Sequence, residues 1–390
     1  MRNRMQNAYD VVIVGGGVHG LSLAYHLAAG GVKRIAVFEK SYLGAGASGR
    51  NGEMIRSAFA ALPWIRFFKK SLAFWEGLSR ELDFNVMFTR SGYVVLASSP
   101  AVFESFRDHV RLQHRCGLKT RLMGPEEIRR TLPRINPQMT FGGIYQPDAG
   151  FARHDAVVWA YARAAQRRGV AIFPHTEVRG IRLEKGAVSG VETSANRIAT
   201  RLVVNAAGGH ADTVAAMVGA RLPMVVYRLQ MLVTEPLKPF LPLNVSLPDK
   251  YMYMHQTTRG EFVGGSDREL KTPTRRLAST FDGMRDMAVK YTRLFPALAG
   301  VRLMRQWAGI VAKTPDGAPL LGPLPHTKGF VLDTGWGGYG FMAAPAGGRF
   351  MADYILTGTP PAEIRPFAPD RFEKGRPVAD ASTVGGSREE

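Results

Sequence analysis

The sequence predicts an α/β fold joined to a second, largely antiparallel sheet, and three observations carry that prediction. Residues 9–14 (Tyr-Asp-Val-Val-Ile-Val) form a β-branched, apolar run of the kind buried on both faces of a parallel sheet, with a glycine-rich turn and a helical stretch directly behind it. Short apolar runs at 170–178 and 202–205 read as strands returning to the same sheet. Residues 222–270 then change character, with strands at 225–233, 251–255 and 261–265 that read as antiparallel and more exposed.

The first element fixes the chemistry. Gly15-Gly16-Gly17-Val18-His19-Gly20 stands between the first strand and a helix read over 21–29, which stops at Gly30-Gly31; a second buried strand, 34–38, delivers Glu39. Strand, glycines, helix, strand and acid in this order form the dinucleotide fingerprint. Gly15 permits the tight turn, Gly17 lets backbone approach a pyrophosphate, and Gly20 lets helix and strand pack closely. The helix N-terminus adds amide donors for phosphates. Glu39 stands where a carboxylate accepts hydrogen bonds from the ribose hydroxyls of an adenosine. An acid there disfavours a 2′-phosphate, which leaves FAD or NAD rather than NADP. An isolated GxGxxG could be a turn with no ligand; the flanking elements argue against that here.

The remaining elements follow in order. Residues 40–52 are a loop dense in small residues, suited to lying against a flat or charged ligand. Residues 63–80 carry helical apolar spacing (Trp64, Phe67, Phe68, Leu72, Trp75, Leu78), which reads as core. A strand is read over 88–96 with a turn at Ser91-Gly92, a helix over 100–117, a helix start at 124–128 and a short strand at 142–145. Asp155 reads as the N-cap of a helix over 156–168, with Gly169 as its stop. A helix over 281–294, a return strand at 306–311, a strand at 330–333, a glycine-rich loop at 335–342 and a helix over 345–357 complete the chain, and residues after 366 read as a loose tail. Residues 335–340 also match GxGxxG, but no βαβ unit with a terminal acid follows. A second dinucleotide site is therefore rejected, and electrons are expected from the substrate itself.

Composition narrows the class. At 390 residues the chain is long enough for two subdomains. No apolar run approaches the ~20 residues that span a bilayer, and the basic first residues lack an apolar signal core. The single cysteine, Cys116, excludes an internal disulfide and suits a reducing cytoplasm. The net charge of +19 is mostly arginine. It reads as a solvated basic surface or as attraction for anions such as flavin phosphates, carboxylate substrates or an acidic partner subunit. The arginines are dispersed and no nucleic-acid module is present, so nucleic acid is not an expected partner.

Together, Val12 through Gly20, Ser48-Gly49-Arg50-Asn51, Met54-Ile55-Arg56-Ser57, Ala207-Gly208, the Thr-Pro-Asp-Gly-Ala-Pro stretch 314–319 and residues 335–345 resemble the D-amino-acid oxidase/sarcosine oxidase family of FAD enzymes. Within it they are most similar to the β subunits of heterotetrameric sarcosine oxidases and of dye-linked proline and opine dehydrogenases. The resemblance spans about residues 8–375. It implies a Rossmann-like FAD-binding domain built from discontinuous segments (1–80, 150–220 and 306–365), a substrate domain with a large mixed sheet (81–149 and 221–305) and a C-terminal tail (366–390). It also implies a hetero-oligomer with a different partner subunit and an amino-acid-like substrate oxidised at a carbon–nitrogen bond.

The site residues follow from the same likeness. FAD contacts are implied for Gly15, Gly17, Gly20, Glu39, Lys40, Ser48, Arg50, Asn51, Gly52, Val178, Ala207, Gly208, Gly335, Gly337, Gly338, Tyr339, Gly340, Phe341 and Met342. Arg56 stands where the family's carboxylate-binding arginine does, and its guanidinium offers a bidentate geometry that lysine lacks. Tyr251 and Tyr253 lie on the strand resembling the flavin roof, each either facing substrate or serving as core; His255 reads as structural or solvent-facing. Two departures matter. Monomeric sarcosine oxidases bond FAD through a cysteine at the position of Gly309, so FAD is expected to be non-covalent there. Sarcosine oxidases place an oxygen-activating lysine where this chain has Met342, which points to an acceptor other than oxygen. By spacing, His154 is a polar residue before a helix. By resemblance, Arg153-His154-Asp155 matches the segment that bonds a second flavin, FMN, in the heterotetrameric enzymes. A stand-alone amino-acid oxidase and a non-catalytic FAD-bearing scaffold subunit are the competing readings.

Overall fold

The computed structural model describes residues 5–266 and 273–380. In chain order the elements are β1 Val11–Val14, α1 Val18–Ala29, β2 Ile35–Phe38, β3 Met54–Ile55, α2 Leu62–Leu82, β4 Tyr93–Leu96, α3 Pro100–Arg115, β5 Arg121–Met123, α4 Pro125–Thr131, β6 Gly143–Gln146, β7 Gly150–Phe151, α5 His154–Arg167, β8 Ala171–Phe173 and β9 Val178–Glu184. There follow β10 Ala187–Thr193, β11 Arg197–Ala199, β12 Val203–Asn205, α6 Ala211–Ala216, β13 Val225–Thr234, β14 Asn244–Leu247, β15 Met252–Gln256, β16 Phe262–Ser266, α7 Phe281–Leu294, β17 Leu303–Lys313, β18 Leu320–Pro323, β19 Phe330–Thr334 and α8 Gly340–Thr357.

A six-stranded sheet, in the order β18-β19-β12-β1-β2-β8, is parallel except where β18 meets β19. Every residue of β1 is buried because both faces are covered, and strand alternation splits them between two cores. Val11 and Ile13 join side chains of α1, α2, α5 and α8, whereas Val12 and Val14 join β9–β11 and α6. The apolar stripe of α2 is buried in the first of these cores, as its spacing predicts. The second sheet has eight strands in the order β17-β13-β16-β15-β14-β4-β6-β5, antiparallel except for the β14–β4 pair. Its alternation also sorts side chains: Leu232, Met252 and Met254 face a core with α7, while Met231 and Tyr253 point to the opposite side, towards the nucleotide sheet.

Several sequence expectations are corrected. The run 170–178 is not one strand: β8 ends at Phe173 and Val178 opens a separate three-stranded sheet, β9–β11. The second sheet is not generally exposed, since β4, β14 and β16 are buried throughout. The return strand β17 pairs along β13 in that sheet. Asp155 is not the N-cap of α5. Arg153 occupies that position and Asp155 lies in the first turn, where it accepts from the Ala156 amide (2.9 Å) and pairs with Arg153. The last helix begins at Gly340 and runs through Pro345. Proline cannot donate within a helix, and nearby carbonyls are served from other elements: Met342 O accepts from Ser71 Oγ (2.6 Å) and Trp75 Nε1 (2.9 Å), and Ala344 O from Ser22 Oγ (3.0 Å).

The segment 366–380 is anchored rather than loose; residues 381–390 lie outside the described residues. Arg371 and Asp316 form a buried bidentate pair, with Nε and Nη2 each 2.8 Å from a carboxylate oxygen. Asp316 also accepts from the amides of Ala318 and Val378, so the 314–319 turn clamps the C-terminal segment. Burial disfavours the Asp316 charge, but Arg371 and the amides hold its carboxyl below the usual range. A depressed folded pKa gives stability that is complete above the unfolded aspartate pKa and lost as pH falls through the folded one. Arg371→Met, which strands the buried carboxylate, is expected to lower stability by roughly 3–5 kcal/mol at neutral pH. Urea unfolding checks this, and a variant within about 0.5 kcal/mol of wild type would refute the clamp.

Candidate active site

A cavity of about 530 Å³ runs from the C-terminal ends of β1, β2 and β12 to the inner face of the eight-stranded sheet. Its floor is the glycine turn. Gly15 has φ +116°, and a side chain there would strike Ala206 O at 2.4 Å; one at Gly20 would strike Gly15 O at 2.1 Å. These two glycines therefore serve turn and helix packing, and Gly20 does not line the cavity. Gly17 does: a Cβ there would meet only Ser48 Oγ, at 3.0 Å. Glu39 directly follows β2, with its carboxylate held by the amides of Gly16 (2.9 Å) and Ser41 (2.8 Å), leaving lone pairs for further donors.

Of the other residues implied by resemblance, Lys40, Ser48, Arg50, Asn51, Gly52, Val178, Ala207, Gly208, Gly335, Gly337, Gly338, Tyr339, Gly340, Phe341 and Met342 line this cavity. Gly46, Gly208 and Gly338 have open space where a Cβ would stand, so the wall is lowered where a flat ligand passes. Gly52 has a different reason, since a Cβ there would meet the Tyr253 ring at 2.8 Å. Gly309 also lines the cavity, beside Arg50, whose Nε donates to Ala45 O (2.9 Å). The sole cysteine, Cys116, caps α3 and does not reach the cavity.

Arg56 lies in the cavity wall just past β3 and is only 6% exposed. Its guanidinium stacks 4.0 Å over the Phe59 ring and donates to Ala58 O. The following backbone is pinned by Gln146 Oε1, which accepts from the amides of Ser57 and Ala58, both at 2.9 Å. Tyr253 and Met231 line the cavity together, with Tyr253 Oη 3.0 Å from the Met231 sulfur. Tyr251 is not part of the site: it precedes β15 in a left-handed conformation (φ 54°), and its side chain is exposed. His255 is buried at 1% exposure rather than solvent-facing, and burial pushes its imidazole down to about 4, so it is neutral at pH 7.

Sequence reading missed Glu53. It is non-glycine, left-handed (φ 63°), buried, and placed between the cavity and His154. Glu53 Oε1 accepts from His154 Nδ1 at 2.6 Å, and Oε2 is 3.9 Å from His255 Nε2. Burial disfavours its charge, yet the hydrogen bond from His154 and the nearby Arg153 hold its carboxyl below the usual range. No local pattern marks such a residue, since its environment comes from β3–β7 pairing and from β15. His154 itself is outside the cavity lining, on the far side of Glu53 and 24% exposed. His19, Asp333 and Trp336 form a second unread cluster in the wall: Trp336 Nε1 donates to Asp333 Oδ1 (2.7 Å) and the His19 ring stacks on Trp336.

A parallel sheet carrying the dinucleotide turn, with a second sheet roofing its cavity, defines a dinucleotide-binding protein with an enclosed space beside the nucleotide site. The chain belongs to the FAD-dependent oxidoreductase (DAO) family, whose model matches residues 10–354. It is 35% identical to the sarcosine oxidase subunit beta of Rhodobacter capsulatus over 97% of this chain and 92% of that one. Against the subunit of the same name from Rhizobium meliloti, identity is 37% over 94% and 89%. Among solved structures, L-proline dehydrogenase from P. horikoshii superposes with a TM-score of 0.91 at 30% identity, covering 95% of this chain and 100% of that one. Among the described residues no helix is long and apolar enough to cross a membrane.

Proposed function

We propose that this FAD-dependent oxidoreductase oxidises the C–N bond of a secondary-amine amino acid of sarcosine, proline, hydroxyproline or opine type. We further propose that it does so as the catalytic β-type subunit of a hetero-oligomer in the cytoplasm. Arg56 is the observation that carries this reading: a buried guanidinium in the wall of the FAD cavity, braced on Phe59, suits a substrate carboxylate. FAD, when bound non-covalently, supplies the two-electron acceptor for the hydride leaving the α-carbon. Gly17, Glu39, Ser48, Gly208 and the glycines of 335–340 would hold it, through backbone approach, helix-end amides and ribose hydrogen bonds. Arg56 orients the carboxylate, and Met231 with Tyr253 adds largely apolar wall to the same cavity. In this reading segments 1–80, 150–220 and 314–365 carry FAD and 81–149 with 221–313 shape the substrate side; the boundary expected at 306 moves because β17 runs whole in the second sheet. The names of the relatives, an oxidase subunit and a proline dehydrogenase, support both the substrate class and the subunit role.

Anaerobic mixing with sarcosine, proline, hydroxyproline, octopine and nopaline tests the proposal. At least one should bleach the flavin, and reduction only by primary amino acids would overturn it. Electrons are proposed to pass to an acceptor other than oxygen, with FMN at His154 as the relay towards a partner. His154 is part-exposed at the start of α5, where Arg153 and the helix end favour anionic groups. Met342 lines the cavity with a neutral side chain where a cation would favour developing superoxide. Dye-coupled turnover is therefore expected to exceed peroxide production at least about tenfold, and Met342→Lys to narrow the gap. Equal wild-type rates with dye and oxygen would refute this.

A further inference from the structure

We propose that Glu53 is the positioning residue of His154, fixing the imidazole so that Nδ1 carries the proton and Nε2 presents its lone pair at the protein surface. The inference deepens the FMN reading of His154 and rests on it for its purpose. Its geometry stands apart from that reading.

Two segments remote in sequence build the arrangement. β3 and β7 pair antiparallel, with Met54 opposite Phe151 and Ile55 opposite Gly150. That ladder sets Glu53 beside the start of α5, and Glu53 O accepts from the Ala152 amide at 3.0 Å. Glu53 Oε1 then accepts from the His154 amide (3.2 Å) and from His154 Nδ1 (2.6 Å), so one oxygen fixes both ends of the residue. Asn51 Oδ1 accepts from the Glu53 amide (2.7 Å), which stabilises the left-handed backbone there. Such a conformation is disfavoured for any residue with a Cβ and persists only where the surroundings enforce it. Behind the carboxylate, His255 is buried with neither ring nitrogen hydrogen-bonded among the described residues, and its Nε2 faces Glu53 Oε2. Arg153, 3.7 Å from Glu53 and paired with Asp155, completes the charges around the dyad, with Glu261 acting on Arg153 from further off. An ionised carboxylate only accepts, so the proton of a neutral His154 ring must sit on Nδ1. His154 Nε2 makes no hydrogen bond among the described residues and shares in the ring's 24% exposure. A carboxylate on one ring nitrogen fixes the tautomer and the ring orientation, the same logic by which second-shell acids orient histidine ligands.

Two measurements separate this inference from the FMN reading. Imidazole ¹⁵N shifts of the histidine-labelled chain, with His154 assigned by His154→Ala, report the tautomer without any second flavin. Wild type should show the Nδ1–H form at pH 8.5, and Glu53→Ala should move His154 to the Nε2–H form usual in water. Glu53→Gln, which keeps side-chain size and an acceptor oxygen, should recover part of the wild-type pattern. In the complex co-expressed with partner subunits, acid precipitation gives the ratio of protein-bound to released flavin. That ratio should fall at least tenfold in Glu53→Ala. A wild-type Nε2–H tautomer, or a tautomer and flavin ratio unchanged in Glu53→Ala, overturns the proposal. The expected tautomer with no acid-stable flavin in the wild-type complex withdraws the FMN reading and leaves the fixed imidazole standing.

Discussion

Replacing Arg56 by alanine should lower kcat/KM by roughly thirty- to several-thousand-fold, the equivalent of about 2–5 kcal/mol of lost transition-state binding. The size follows from burial. A carboxylate entering the cavity loses water, and a charge-assisted bidentate contact to a guanidinium replaces it; without that contact the carboxylate is desolvated for no return. Arg56→Lys keeps the charge but loses both the planar fork and the stacking on Phe59, so it should recover only part of the loss. Steady-state kinetics with the best substrate of the panel, at matched flavin content, decides the matter. Activity of Arg56→Ala within about twofold of wild type would remove Arg56 from the substrate site.

Gly17→Val should yield apoprotein, with flavin content reduced at least about tenfold. The first new carbon would already stand 3.0 Å from Ser48 Oγ, the group that accepts from the Val18 amide at the start of α1. The branched methyls then have to enter the space over the helix end that a pyrophosphate would use. Gly17→Ala meets only a hydroxyl that can rotate aside and should lose less. Absorbance near 450 nm in the purified protein gives the answer, and thermal melting with and without added FAD gives a second readout, because ligand binding to the native state raises Tm. A Gly17→Val variant with a normal flavin spectrum would show that the turn does not bind the cofactor as argued.

The limits of sequence reading fall at identifiable residues. The parallel strands were legible because residues buried on both faces leave a continuous apolar run, and α2 because its stripe repeats at helical spacing. The start of α8 was misplaced because Pro345 reads as a breaker. Ser71, Trp75 and Ser22, 267–322 positions away, supply donors that nearby sequence does not reveal. The C-terminal segment read as loose because its anchor is a single buried arginine whose partner, Asp316, lies 55 positions earlier.

By itself, then, the sequence determined the dinucleotide turn, the acid that follows β2 and the family, and it singled out Arg56 and Met342 as candidates, since each is carried by residue identity at fixed local spacing. Tertiary structure alone decided which candidates share a cavity. It placed Tyr253 on the inner face of the second sheet and left Tyr251 outside, because alternation along a strand is meaningful only once the strand's first residue is known. It likewise joined Glu53, His154 and His255, three residues from three separate segments that only β3–β7 pairing and the neighbouring β15 bring together. Long-range strand pairing is set by burial across the whole molecule, and no window of the chain contains it.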